Sequence, residues 1–187
     1  MAHDGWVATV AFSPDGRWLA TGSWDKTARV WEVIRGGEVA RMAHEGLVVA
    51  VAFSPDGHWL ATGSTDYTAR VWEAATGQEV SHMQHRDNVW AVVFSPDGQW
   101  LATGSYDRTA RIWEATTGRE VACMAHEGLV VAVAFSPDGR WLVTGSLDNT
   151  ARVWEAATGR EVARIPHDDD VWAVAFSPDG HFVVSGS

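Results

Sequence analysis

A five-residue phrase, Phe-Ser-Pro-Asp-Gly, returns every 41 residues along this chain, opening at Phe12, Phe53, Phe94, Phe135 and Phe176. Histidines keep the same interval at His3, His44, His85, His126 and His167, and tryptophans at Trp31, Trp72, Trp113 and Trp154. A fixed period of this length means that one small supersecondary unit is copied. Each copy must then bury its apolar surface against its neighbours. The units run 3–43, 44–84, 85–125, 126–166 and a partial 167–187, all within one repeat domain.

The second unit shows the local pattern. Val49, Val51 and Phe53 alternate with Ala50 and Ala52, which predicts a short strand. Ser54-Pro55-Asp56-Gly57 supplies turn chemistry, with proline able to take its second position and glycine the left-handed conformation that ends it. Trp59–Ser64 predicts a second strand, and Thr68–Trp72, dense in Thr, Val and Trp, a third. Thr76-Gly77 turns the chain into a weaker fourth strand over Glu79–Met83. No segment holds a helical period for more than a turn or two. Trp18, Trp59, Trp100 and Trp141 recur two residues after each Asp-Gly, with Phe182 continuing the series, while Leu19, Leu60, Leu101 and Leu142 beside them point to the other sheet face. Each four-stranded meander therefore has two apolar faces, which radial stacking of copies buries.

The period, strand order, histidine, Ser-Pro-Asp-Gly turn, Gly-Ser-x-Asp sequence and strand-three tryptophan resemble WD-repeat β-propeller blades across essentially the whole chain. The resemblance implies an all-β propeller of four four-stranded antiparallel blades and a two-stranded half blade. Two departures are regular. The family's Gly-His is Ala-His at Ala2, Ala43 and Ala125, Gln84-His85 in the third unit and Pro166-His167 in the fifth. Its Trp-Asp is Trp-Glu throughout, as at Trp31-Glu32. The resemblance also implies a buried hydrogen-bond network in each blade, with serine relaying between indole and histidine and the aspartate orienting the imidazole. The positions are His3, Ser23, Asp25 and Trp31; His44, Ser64, Asp66 and Trp72; His85, Ser105, Asp107 and Trp113; His126, Ser146, Asp148 and Trp154. The fifth unit has His167 and Ser187 but neither the aspartate nor the tryptophan.

A recurring His, Ser and Asp invites a hydrolase reading, but a catalytic triad is needed once, and four copies read as support. No Gly-x-Ser-x-Gly elbow, phosphate loop, dinucleotide fingerprint or calcium loop is present. Histidines spaced one per blade are held apart rather than converging on one ion. The expectation is a non-enzymatic chain with no catalytic residue, no cofactor and no metal. A net charge of −10 argues against a general nucleic-acid binder or a purely electrostatic membrane contact. The recurring Arg29, Arg70, Arg111 and Arg152 leave room for a local basic patch. Cys123 is the only cysteine, so no internal disulfide forms and the cytoplasm is the default compartment. Charged residues at the matching positions of other units place it partly exposed on the outer strand.

In a copied scaffold the exceptions carry information. Between Ser and Asp the units hold Trp24, Thr65, Tyr106 and Leu147; after Asp they hold Lys26, Tyr67, Arg108 and Asn149; five residues after each histidine stand Ala8, Val49, Trp90, Val131 and Trp172. The family resemblance puts all three sets on one rim. The candidate binding residues there are Trp24, Lys26, Tyr67, Trp90, Tyr106, Arg108 and Trp172, with a protein or peptide as the partner. Loop placement favours exposure for Trp24 and Tyr106. Trp90 and Trp172 divide evenly between solvent and packing. A second period overlies the first, because units two and four share fourteen residues from His-Glu-Gly to Ser-Pro-Asp-Gly unchanged.

Four and a half units leave open blade faces, so the expectation is self-association, with a dimer the favoured form. The functional expectation is a protein–protein interaction scaffold or sensor propeller. Its alternatives are an engineered or excised self-assembling array with no dedicated ligand, and an enzyme with a grafted hydrolytic site.

Overall fold

The computed structural model describes residues 2–187. Its eighteen strands form four four-stranded antiparallel sheets and one two-stranded sheet. In the first, β1 (Val7–Phe12), β2 (Trp18–Ser23), β3 (Thr27–Glu32) and β4 (Glu38–Ala43) pair in sequence order. The same order holds for β5–β8, β9–β12 and β13–β16, which span Val48–Gln84, Val89–Ala125 and Val130–Pro166. β17 (Ala173–Phe176) and β18 (Val183–Gly186) complete the half blade. The chain is an all-β propeller, and the predicted strands of unit two fall within one residue of β5–β8.

The first strands β1, β5, β9, β13 and β17 lie one beside the next, and β5, β9, β13 and β17 each also touch the second strand of the preceding sheet. This is the radial stacking that two apolar faces require. Three core clusters fill successive gaps between sheets. The first unites Ala28, Val30, Ala40 and Met42 of the first sheet with Val48, Leu60 and Trp72 of the second, with Trp18 and Phe53 packed on its margin. The second and third repeat it one and two units later. Leu60, Leu101 and Leu142 are fully buried and belong to the sheet face opposite that of the tryptophans at 59, 100 and 141.

Every complete blade has a register shift near the start of its first strand, between Val7 and Thr9 in the first and between Val48 and Ala50 in the second. The extra residue is a β-bulge. It puts Val7, Val10 and Phe12 on one face, where strict alternation would separate Val7 from Val10. Because successive strands are antiparallel, the β2–β3 loop and the histidine segment share one end of each blade. The Ser-Pro-Asp-Gly turns lie at the other end. Those turns close identically: Ser13 Oγ donates to Asp15 Oδ1 at 2.7 Å, and the Trp18 amide donates to Ser13 Oγ at 2.9 Å.

Candidate interaction surface and the networks beneath it

The rim is held up by a hydrogen-bond chain in each complete blade. In the second blade the Trp72 indole N–H donates to Thr62 Oγ1 at 2.8 Å, and Thr62 Oγ1 lies 2.8 Å from His44 Nε2. His44 Nδ1 lies 2.8 Å from Asp66 Oδ2. The polarity follows from the ends. The indole is a donor only and the carboxylate an acceptor only. A neutral imidazole with its proton on Nδ1 satisfies both, accepting at Nε2 from the threonine hydroxyl and donating to the aspartate. The other blades repeat the chain through Thr21, Thr103 and Thr144, with distances of 2.7–2.9 Å.

The relay is thus threonine, which corrects the expectation of serine. Register explains it. Leu19 pairs with Trp31 across β2 and β3, so Ser23 stands four residues along β2, roughly 13 Å away. Thr21 stands half as far and on the same face. The serines serve the loop instead: Ser64 Oγ accepts the Asp66 amide at 3.1 Å, and Ser105 Oγ accepts that of Asp107 at 3.0 Å. In the fifth unit Ser185 takes the threonine position, 2.8 Å from His167 Nε2, and Ser187 lies 3.2 Å from Nδ1.

The aspartates are held tightly. Burial alone would raise their pKa, but hydrogen bonds from the neighbouring threonine hydroxyl, the histidine and backbone amides outweigh it. Asp25, Asp66, Asp107 and Asp148 all sit far below the usual carboxylate range. Burial lowers the His126 pKa against the opposing pull of Asp148, in keeping with the neutral imidazole. These histidines are closed to substrate: the side chains of His44, His85 and His126 have no exposed surface. No serine lies in the hydrogen-bond chain of a complete blade to act as a nucleophile. Among the described residues no group of three or more His, Cys, Asp or Glu is placed to hold a metal ion.

The recurring arginines do not form a basic patch. Arg29 and Arg152 are buried, reaching the network aspartate at 3.0 and 2.8 Å and a glutamate on the outer strand at 3.3 and 3.5 Å. Each of the four guanidiniums lies 5.8–6.0 Å from the centre of its blade's network indole. They belong to the network as cations over aromatic rings. Threonine and arginine were both legible as strict repeats, and only their roles were hidden. Cys123 is exposed on β12, where partial burial raises its thiol pKa, so it stays protonated at neutral pH.

Above this framework the rim residues are unequal. Trp24 stacks on Trp6, with ring centres 5.3 Å apart and planes at 18°. Trp90 stacks on Tyr106 at 5.0 Å and 16°. Trp6 was not anticipated, although it stands where the other units hold Leu47, Asn88, Leu129 and Asp170. Trp24 is 48% exposed and Trp6 76%, so that pair is largely in solvent. Tyr106 is only half-buried, because Trp90 covers it, while Trp90 keeps 37% of its surface and Trp172 56%. Tyr67 is 45% exposed, and Lys26 and Arg108 are exposed beside the loops. Lys26, Tyr67, Arg108 and Asn149 adopt left-handed backbone angles, φ 62–71°, which closes the tight β2–β3 type loop and directs those side chains outward. Blades one and three therefore carry aromatic stacks, and blades two and four carry Thr65 and Leu147 at the matching positions.

At the opposite end, grooves open between successive Ser-Pro-Asp-Gly turns. One of about 520 Å³ is lined by Asp97, Trp100, Asp138 and Trp141, with the Arg140 guanidinium 5.5 Å from the Trp141 ring centre.

Comparison with known proteins gives a matching picture. The family model described as WD domain, G-beta repeat matches residues 1–32, 37–73, 77–114, 118–155 and 159–187. The ribosome biogenesis protein ERB1 of Saccharomyces cerevisiae is 56% identical over 39 residues, 21% of this chain and 5% of that protein. The pre-mRNA-splicing factor PRP46 of Yarrowia lipolytica is 47% identical over 34 residues, covering 18% and 8%. The pleiotropic regulator PRL2 of Arabidopsis thaliana is 50% identical over 34 residues, covering 18% and 7%. Each alignment is the length of about one blade, and the matched stretch spans less than a tenth of each relative.

Proposed function

From the premise that this chain belongs to the WD40-repeat family, we propose that it is a non-catalytic interaction module whose rim binds a protein segment. The observation that carries this reading is the pair of aromatic stacks, Trp6 on Trp24 and Trp90 on Tyr106, on blades that otherwise copy their neighbours. A structural repeat needs neither pair, since blades two and four hold the same loops with Leu47 and Thr65 or Leu129 and Leu147. Rigid, partly exposed aromatics are the residues that anchor interfaces. Asp4, Glu45, Glu127 and Asp168 are exposed around the rim together with Lys26, Arg86 and Arg108, so the favoured segment joins apolar side chains to charges of both signs. We place the protein in a reducing compartment, where its exposed thiol persists, and expect it to act as a homo-oligomer, most simply a dimer.

The test is selection of binding segments from a displayed random-peptide library, followed by affinity measurement on Trp24→Ala and Trp90→Ala. Enriched peptides with apolar or aromatic anchors that bind each variant at least tenfold more weakly support the rim reading. Peptides that bind both variants undiminished place the site elsewhere, and a library that yields no enrichment counts against a peptide-binding module.

A further inference from the structure

The end of the blades away from the aromatic stacks holds a surface of a different kind. Grooves lie between successive Ser-Pro-Asp-Gly turns, walled by the turn aspartates and by tryptophans of the series at 18, 59, 100 and 141. What varies is the residue between the turn glycine and that tryptophan: Arg17, His58, Gln99 and Arg140. Arg17 lines the groove between the first and second turns, and Arg140 the groove between the third and fourth. The groove between the second and third, of about 380 Å³, is walled by Asp56, Trp59, Asp97, Gln99, Trp100 and Glu114. Among the described residues no lysine, arginine or histidine lines it.

Not all of the charge in this groove is paired within the fold. Asp97 Oδ1 accepts from Ser95 Oγ at 2.6 Å and from the Gln99 amide at 3.0 Å, which closes the turn and leaves Oδ2 without a hydrogen bond among the described residues. Asp56 closes its own turn in the same way, with its Oδ2 3.2 Å from His58 Nδ1. The hydrogen bond from Ser54 lowers the Asp56 pKa, so that carboxylate is ionised at neutral pH. Glu114 is held by Arg119. Asp97 is thus the carboxylate of this groove without an ion-pair partner among the described residues. It stands three residues from Trp100, whose half-buried ring packs on the margin of a core cluster. A carboxylate beside a partly open indole suits a cation, which is attracted by both. The next groove shares the wall of Asp97 and Trp100 and shows which cation fits: there the Arg140 guanidinium lies 5.5 Å from the Trp141 ring centre.

We propose that the groove between the second and third turns takes an arginine side chain of a partner protein segment, its guanidinium over Trp100 and hydrogen-bonded to Asp97 Oδ2, as Arg140 lies over Trp141 in the next groove. Arginine is favoured over lysine because its planar fork stacks on an aromatic face and meets a carboxylate with two donors at once. The groove is larger than one guanidinium, which leaves room for the segment on either side of the arginine. This surface lies at the opposite end of the blades from the rim, and it does not rest on the rim reading.

Two substitutions at exposed positions exchange the two situations. Gln99→Arg gives blade three a guanidinium of its own, and Arg140→Gln removes that of blade four; circular dichroism checks that both variants fold. The probe is a capped pentapeptide of glycine and serine with arginine at its centre, titrated into the full chain while the assigned indole N–H resonances are followed by NMR. The control peptide carries citrulline, the neutral isostere. The arginine peptide should shift the Trp100 resonance to saturation, and the citrulline peptide should not. Gln99→Arg should weaken that binding about tenfold by occupying the indole from within. Arg140→Gln should add a saturable shift at Trp141, and silence there overturns the analogy on which the choice of arginine stands. Equal shifts with citrulline, no saturable shift at Trp100, or a shift indifferent to Gln99→Arg overturns the proposal. Saturation confined to Trp24 and Trp90 puts the peptide on the rim, which upholds the rim reading and overturns this one. Capped arginine alone, binding as tightly as the peptide, overturns a protein segment as the occupant in favour of a free guanidino compound.

Discussion

At the scale of single residues, threonine and serine two positions apart do different work. Thr62 sits between a donor-only indole and an imidazole acceptor, both buried, so Thr62→Val leaves two buried polar groups unpaired. Each such loss costs about 1–3 kcal/mol. Ser64→Ala removes the acceptor of one loop amide, for about 1 kcal/mol. The expected order in urea unfolding midpoints is therefore Thr62→Val well below Ser64→Ala; the reverse order would restore serine as the relay. Burial, hydrogen bonding and pH are linked here. The network aspartates have folded pKa values below their unfolded value of about 3.9, so their stabilisation is complete above that pH and is lost as pH falls below about 4. His126 is lowered as well, so its contribution is complete above about 6.5 and is lost as pH falls through the folded value. Its imidazole should titrate below 6.5 by NMR, and a midpoint above that would mean the charged form is the one the network holds. The sequence showed which residue types recur at the network positions. It did not show which hydroxyl bridges, because Thr62 and Ser64 share a sheet face and only the pairing of Leu60 with Trp72 separates them.

At the scale of elements, the β2–β3 type loops combine a strained backbone with the proposed contact residues. Tyr67 holds φ at 71°, a region that costs a non-glycine residue about 1–2 kcal/mol. Its carbonyl accepts the His85 amide at 2.9 Å, a bond the substitution Tyr67→Gly keeps. The expected outcome is a gain of about 1 kcal/mol in denaturant unfolding, the higher entropy of a glycine loop offsetting part of the relief. A loss of stability would mean that the Tyr67 ring packs more than its exposure indicates. The strands themselves were legible because alternation, turn residues and copying all agree, and β5–β8 fall almost where the pattern put them. The aromatic stacks were not legible in full. Trp90 with Tyr106 and Trp6 with Trp24 use different positions of the repeat to build one arrangement, two residues offset on β9 and at the edge of β1, and a period aligned by column separates what the fold brings together.

At the scale of the whole molecule, stability is a sum of blade terms and junction terms, because each sheet touches only its neighbours. Blades two, three and four have a neighbour on both sides. Blade one lacks a junction on the face of Val7, Val10 and Phe12, and the half blade has two strands with Phe182 and Val184 in solvent. Opening free energy should therefore fall from the middle of the chain toward both ends. Amide hydrogen exchange in dilute solution is expected to be slowest in β9–β11, faster in β1, and fastest in β17 and β18. Uniform protection would mean that the chain opens as one unit and that the junctions are not the weak terms.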